Sequence, residues 1–492
     1  MCISLVHTRA QLGVNAPPVK VETHLGPGLP AFQIVGLPET AVRESRDRVR
    51  SAIVNSGFQF PAQRITVNLA PADLPKGGGR FDLPIALGIL SASKQLPANP
   101  RQEEYLGELA LSGELRPVQG TLAAAMACGQ VGRSLVLPAD NADEAALCRT
   151  TTIHAAPSLL AVCGHWRNSA ALPPAPACVP PLSTSNAPCL SQVRGQFQAR
   201  RALEIAASGG HSLLLCGPPG SGKSMLASRL PGLLPPMEEP QALEVAAIHS
   251  LQRARLHSEF FLRPFRAPHH TTSPTAMVGG GARPRPGEIS LAHQGVLFLD
   301  ELPEFDRRVM EALREPLETG EVNISRTLRQ DVFPARFQLV AAMNPCPCGY
   351  LGDPEKSCGY HCEKAKRYQS RISGPFLDRI DLQLEVQAIN AGELFDASPS
   401  ECSDTVRARV AATRERQLAR QGKLNHLLDA EELKPMIAPH QDWLTQVMER
   451  LGISARALHR LTRVARTIAD MAESESLETT HLQEAISFRI QH

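Results

Sequence analysis

Residues 213–224 read Leu-Leu-Leu-Cys-Gly-Pro-Pro-Gly-Ser-Gly-Lys-Ser, and they restrict the fold more tightly than any other stretch. The apolar run 212–216 predicts a buried strand, and the run from Lys223 to residue 230 predicts a helix. Between them, Gly217, Pro218, Pro219, Gly220, Ser221 and Gly222 turn the chain. Gly217 and Gly222 let successive N–H groups converge, which makes a cradle for a phosphate chain. Lys223 is placed to reach the β- and γ-phosphates, and Ser224 offers a hydroxyl to magnesium. The helix N-terminus adds partial positive charge at the same point. Strand, glycine loop and helix in this order imply an α/β domain with a parallel sheet.

A second signal lies about eighty residues on. Val296 to Leu299 are apolar and are followed by Asp300 and Glu301. A buried parallel strand would deliver both acids at its C-terminal end, where such sheets bind ligands. Asp300 would then order magnesium, and Glu301 would take a proton from water in line with the γ-phosphate. Residues 337–342 predict a third strand, with Asn344 at its end to contact the γ-phosphate or orient that water. Gln196, just upstream of the glycine loop, is a candidate for the adenine pocket. Arg379 stands between apolar residues before a strand at 382–386, where an assembly of subunits would present an arginine to a neighbour's phosphate.

At 492 residues the chain calls for two or three domains. The first, residues 1–165, reads as an α/β unit with strands at 31–37, 64–70 and 134–137. Helices are expected at 39–56, at 82–93 and from residue 121, with a hairpin near 106–117. Trp166 is expected to be its last anchored residue. Clustered prolines mark a linker at 166–192, residues 193–390 form the nucleotide-binding core, and residues 391–492 form a helical lid. The net charge of +2 leaves nucleic-acid binding to local basic surfaces. The helix after residue 405 is one such place, dense in arginine (Arg407, Arg409, Arg414, Arg416, Arg420), though only weak evidence for a phosphate-backbone partner. No run approaches the length of a membrane span, and the first ten residues lack the apolar core of a secretory signal, so a cytoplasmic protein is expected.

Twelve cysteines without such a signal suggest reduced thiols. Cys346, Cys348, Cys358 and Cys362 fall in one segment, and His361 could replace one of them. Tetrahedral structural zinc and ordinary thiols are both compatible with that spacing.

In the first domain, Pro75 to Gly79 before one helix and residues 107–114 before another resemble the proteolytic domain of Lon. That family uses a Ser–Lys dyad. Here Arg80 stands at the serine position and Leu122 near the lysine, so neither nucleophile nor base is present. The resemblance implies a Lon-like fold without peptidase chemistry, serving interaction or assembly.

Across the whole chain, the glycine loop, residues 209–212, 263–273, 286–290 and 344–349, and the Asp300–Glu301 strand resemble the ComM/YifB family of magnesium-chelatase-like AAA+ ATPases. The resemblance implies a hexameric ring that binds ATP and magnesium and moves DNA branch points during natural transformation. By the same resemblance, Asn344 is sensor 1, Arg379 is the finger acting in trans, and Arg456 is the sensor-2 arginine. Hairpins preceding sensor 1 line the pore in this class, which makes Arg326 and Arg329 the candidates for strand contacts. The alternative is a chelatase-type ATPase that remodels a protein partner, since a shared ATPase module does not specify its substrate.

Overall fold

The computed structural model describes residues 2–98, 102–177, 188–252, 259–281, 285–326, 329–351, 363–388 and 401–489. The chain forms two units. One comprises Met1–Leu182 with Ala242–Phe260, and the other Ser183–Gln241 with Phe261–His492.

The first unit is built on a seven-stranded mixed sheet. Its strands are β1 (Cys2–Arg9), β2 (Pro18–Gly26), β3 (Ala31–Val35), β4 (Arg64–Ala70), β5 (Glu103–Tyr105), β6 (Ser134–Pro138) and β7 (Ile153–Ala156). They run in the order β3-β4-β2-β1-β5-β6-β7. β1 and β2 pair antiparallel, as do β2 and β4, whereas β1–β5, β5–β6 and β6–β7 are parallel. Alternation selects the faces: Val19, Val21 and Thr23 are buried in β2 while Lys20 and His24 are exposed. Helix α2 (Asp82–Ala92) packs on β1 and β2, and α1 (Thr40–Asn55) packs on α2. The approach is close enough that a Cβ at Gly88 would lie 2.4 Å from the Thr23 hydroxyl oxygen. Helices α3 (Thr121–Gln130) and α4 (Leu159–Trp166) follow, and α4 ends on the buried Trp166. The chain does not leave the unit there. Leu172 N–H bonds His165, and Ala175 N–H bonds the Ile153 carbonyl at 2.7 Å.

In the second unit, helices α5 (Phe197–Gly209) and α6 (Lys223–Ala227) flank β8 (Leu213–Cys216). Helix α7 (Glu239–Ser250) runs mostly through the segment that belongs to the first unit. The sheet is completed by β9 (Phe265–Arg266), β10 (Val296–Leu299), β13 (Gln338–Met343) and β14 (Leu382–Glu385), ordered β9-β10-β13-β8-β14 and parallel throughout. The hairpin β11 (Glu321–Arg326) and β12 (Arg329–Pro334) lies between β10 and β13 in the chain. β8 and β10 are fully buried apolar runs, as parallel strands covered on both faces must be. The helical segment after β10 is divided into Arg307–Ala312 and Pro316–Thr319, because Pro316 supplies no N–H to continue the first piece.

Helices α8 (Ser403–Gln421), α9 (Ala455–Met471) and α10 (Thr479–Ser487) close the chain. Val406, Val410, Val464, Ile468 and Leu482 join Leu203, Leu213 and Leu384 in one apolar core, so these helices and the sheet are stabilised together. No helix among the described residues is long and apolar enough to cross a membrane.

Candidate nucleotide site

The site is assembled where β8, β10 and β13 end side by side. Leaving β8, the Gly217 N–H bonds the Met343 carbonyl at 3.1 Å, and a Cβ at residue 217 would lie 2.2 Å from the Val386 carbonyl oxygen. Only glycine allows this approach. Gly222 caps α6 at φ +89°, a left-handed conformation that is costly for other residues.

Lys223 is buried, and its ammonium donates to the carbonyls of Gly217 (2.7 Å) and Pro218 (2.8 Å) and to Asn344 Oδ1 (3.2 Å). Burial lowers its pKa, and Asp300 acts against that shift. The Ser224 hydroxyl donates to Asp300 Oδ2 at 2.6 Å, and the Glu301 N–H donates to Asp300 Oδ1 at 2.9 Å. A hydroxyl and a carboxylate side by side are the oxygen donors that a hard cation such as magnesium takes. The predicted strands thus bring Lys223, Ser224, Asp300, Glu301 and Asn344 to one place. Gln196 reaches it too: its amide donates to the Ser221 carbonyl at 3.3 Å and the Gln387 carbonyl at 2.8 Å.

Glu301 has φ +54°, a left-handed conformation that is uncommon for residues other than glycine. Its carboxylate meets His270 Nδ1 at 2.9 Å. The irregular stretch 263–273 therefore supplies a neighbour that motif reading did not single out. Two adjacent histidines in a segment without periodicity were the only available signal.

Arg379 is placed differently. Its guanidinium pairs with Glu318 at 2.7 Å, donates to the Pro375 carbonyl at 2.7 Å, and is only 8% exposed. It can serve a neighbouring subunit only after releasing Glu318. Arg456 is exposed in the first turn of α9, behind the Ser454 cap. One turn further, Arg460 binds Asp381 at 2.6 Å. Asp381 also accepts from the N–H and hydroxyl of Ser212 and meets His211 Nδ1 at 3.3 Å. Burial pushes the Asp381 carboxyl upward, but His211 and Arg460 overcome it and hold the group well below the usual carboxylate range. This network ties the start of β8 to β14 and α9, and so fixes the helix that carries Arg456.

Arg326 and Arg329 are register partners in the backbone pairing at the tip of the β11–β12 hairpin. The arginines of α8 are not a free basic surface. Arg409 pairs with Glu204 and Glu401, Arg414 donates to the Ala207 carbonyl, Arg416 to the Asp470 carbonyl, and Arg420 to Asp470 and Asn425. Their charge is spent holding the C-terminal helices, because intramolecular carboxylates and helix-end carbonyls lie within reach.

For metals, the described cysteines of the cluster are Cys346, which is buried, and Cys348, with sulfurs 3.1 Å apart. The other members of the expected ligand set, Cys358, Cys362 and the alternative His361, lie outside the described residues. In the first unit, Glu103, His154 and His165 come within ligand distance of one another. There Leu172 N–H donates to His165 Nδ1 at 2.9 Å, so the ring proton sits on Nε2 and faces Glu103 Oε1 at 3.1 Å. The ring atom aimed at the cluster carries a proton instead of a lone pair, so the three residues form a hydrogen-bonded core and not a metal cage.

Comparison with known proteins agrees with this geometry. Residues 189–394 match the family model described as magnesium chelatase, subunit ChlI; residues 21–141 match that of subunit ChlI of Mg-chelatase, and residues 400–489 that of its C-terminal part. The chain is 53% identical to YifB of Escherichia coli over 99% of its own length and 97% of that protein. It is 48% identical to the competence protein ComM of Haemophilus influenzae, over 99% of this chain and 98% of the relative. A partial likeness, 24% identity over 40% of this chain and 25% of the other, extends to the maternal DNA replication licensing factor mcm6 of Xenopus tropicalis. A parallel sheet carrying the glycine loop and paired acids, with near full-length identity to these relatives, places the chain in the ComM/YifB family of magnesium-chelatase-like AAA+ proteins.

Proposed function

We propose that this protein is an ATP-hydrolysing ring motor that moves DNA branch points. The observation that carries the hydrolysis is the convergence of Lys223, Ser224, Asp300, Glu301 and Asn344 at the ends of adjacent parallel strands. Lys223 exchanges its loop carbonyls for β- and γ-phosphate oxygens. Ser224 and Asp300 would hold magnesium, which when bound neutralises charge on the transferring phosphoryl group. Asn344 orients the γ-phosphate side of the site, and Glu301 accepts a proton from the attacking water once it leaves His270. Arg379 of an adjacent subunit completes the charge stabilisation, and Arg456 closes the lid side.

The DNA role is supported by the competence protein among the relatives and by the partial likeness to a replication licensing factor. In this reading six subunits form the ring, with Arg326 and Arg329 facing the strands at hairpin tips. The first unit is a Lon-like platform without a dyad, since Arg80 and Leu122 occupy the dyad positions and both are buried. The ATPase rate with and without three-way or four-way DNA junctions tests the proposal, beside Lys223→Ala and Glu301→Gln controls. Junction stimulation that both variants lose supports the motor. A rate indifferent to every DNA refutes it and favours the second reading, a remodelling ATPase acting on a protein partner, which the magnesium chelatase family matches support.

A further inference from the structure

Arg80 is a buried cation without a counter-ion. It follows the glycine run 77–79 in the first unit and is 4% exposed. One of its terminal nitrogens, Nη2, donates to Gln11 Oε1 at 2.7 Å and to the Gln119 carbonyl. The other, Nη1, is buried and has no partner among the described residues. No carboxylate among the described residues pairs with this guanidinium. The nearby acid Asp82 is taken by Arg48 at 2.7 Å. Buried arginines are ordinarily matched by an anion, because an ion removed from water loses more solvation than neutral contacts return.

The segment that Arg80 holds leads directly into helix α3. Gln119 is two residues before its first residue, and the cap position is Gly120, at φ +69°, with no side chain to accept the first N–H groups. Thr121 opens the helix, is fully buried, and its hydroxyl has no partner among the described residues. The approach to α3 is rigid. Asn141 accepts from the Val118 N–H at 2.9 Å and donates to the Val118 carbonyl at 3.0 Å. A ten-residue helix without a side-chain cap opens on a buried, unpartnered hydroxyl, and the Gln119 carbonyl two residues upstream holds the unmatched guanidinium of Arg80. Of the two residues that Arg80 bonds, Gln119 is exposed and Gln11 half-buried.

We propose that the start of α3 is a binding site for a small oxyanion of the phosphate or sulfate class, held by Arg80 Nη1, the Thr121 hydroxyl and the first N–H groups of the helix. An oxyanion supplies what the residues lack: several acceptors, a negative charge, and a geometry that suits a guanidinium edge. Burial, with no opposing anion, pushes the Arg80 pKa down to about 10, as expected of a cation still awaiting its partner. The site belongs to the first unit and does not depend on the ATPase assignment.

Binding of inorganic phosphate, sulfate and chloride to the full-length chain should be measured by calorimetry. Lys223→Ala serves as the background, so that the glycine loop of the second unit does not contribute. Saturable one-to-one binding of phosphate or sulfate is expected, with chloride at least about tenfold weaker. Arg80→Met in that background should weaken oxyanion binding by about tenfold or more. Its midpoint of thermal unfolding without anion should stay equal or rise, since an unmatched charge has been removed. Thr121→Val, which keeps the shape of the side chain, should weaken binding by a few-fold and carries the test if Arg80→Met does not fold. Absence of saturable binding, chloride binding as tight as phosphate, or affinity unchanged in the folded variants would overturn the proposal.

Discussion

Two glycine-rich loops in this chain each lead to a buried cation at the start of a helix, and they treat that cation in opposite ways. At residues 217–222 the loop supplies Lys223 with two carbonyls, and Asn344, just past the end of β13, supplies a third acceptor, so every ammonium proton has one. At residues 77–79 the loop delivers Arg80 into a place where one nitrogen is satisfied and another has no acceptor among the described residues. The first arrangement is a cation matched wholly within the chain; in the proposed function these partners are exchanged for phosphate oxygens. The second has nothing to exchange, and its balance must come from outside the chain. Similar local sequence yields different electrostatics because acceptors come from neighbouring strands, not from the loop alone.

The sharpest way to break this contrast is to remove charges that the second unit is said to use. Arg379→Ala should reduce ATP turnover by about 10³-fold or more while nucleotide binding by the isolated subunit persists. Normal turnover would leave Arg379 as a structural partner of Glu318 and nothing more. Glu301→Gln should lower turnover by roughly 10²- to 10⁴-fold, with binding of a fluorescent ATP analogue retained; loss of binding instead would show that Glu301 shapes the site and is not its base.

Asp381→Asn removes the anion shared by His211 and Arg460 and should cost about 3–5 kcal/mol. Urea unfolding of a Trp166→Phe chain, in which Trp443 reports on the second unit, would measure it, and a loss below 1 kcal/mol (roughly the level of a surface pair) would mean the network is dispensable.

Acid should unfold the second unit in a way that separates two groups. His426 is half-buried with its Nδ1 2.9 Å from the Gly209 carbonyl, and desolvation of the ring lowers its pKa from 6.5 to about 4. The folded state thus resists a proton that the unfolded chain accepts, so stability is complete above pH 6.5 and falls as pH drops toward 4, by up to about 3 kcal/mol. Asp381, depressed in the folded state, adds a further loss only as pH falls below the ordinary carboxylate value. Replacing His426 with Gln should flatten the first phase and spare the second; an unchanged profile would refute the assignment. The smallest effect concerns His270. Its exposed pairing with Glu301 is worth ~1 kcal/mol at most, so His270→Ala should raise basal turnover roughly two- to fivefold by freeing the carboxylate. A fall would mean that His270 assists catalysis.

Most of the geometry of the candidate site was legible from residue order. Short apolar runs ending in Gly217, Asp300 and Asn344 could only be buried strands, and parallel strands place their C-terminal residues together. The partners that modulate those residues were not legible. His270 lies in an irregular segment, Asp381 just before β14, and Glu318 in a one-turn helix, places too short or irregular for periodicity to assign a direction to a side chain. β1 and β2 were also not anticipated, although their alternation is regular, because no motif drew attention to them.

The arginine-rich helix α8 shows the same limit from the other side. Its composition suggested a surface for phosphates, but Glu204, Glu401 and Asp470 come from distant segments and consume the charge. By itself, then, the sequence determined the glycine loop, the acidic strand and the parallel α/β character of the second unit, since these depend on spacing and burial along a few contiguous residues. Tertiary structure alone decided which cations are matched and which are not: Lys223 and the α8 arginines find acceptors, while Arg80 keeps one nitrogen without a partner among the described residues. Charge balance is a property of neighbours in space, and local sequence does not specify who those neighbours are.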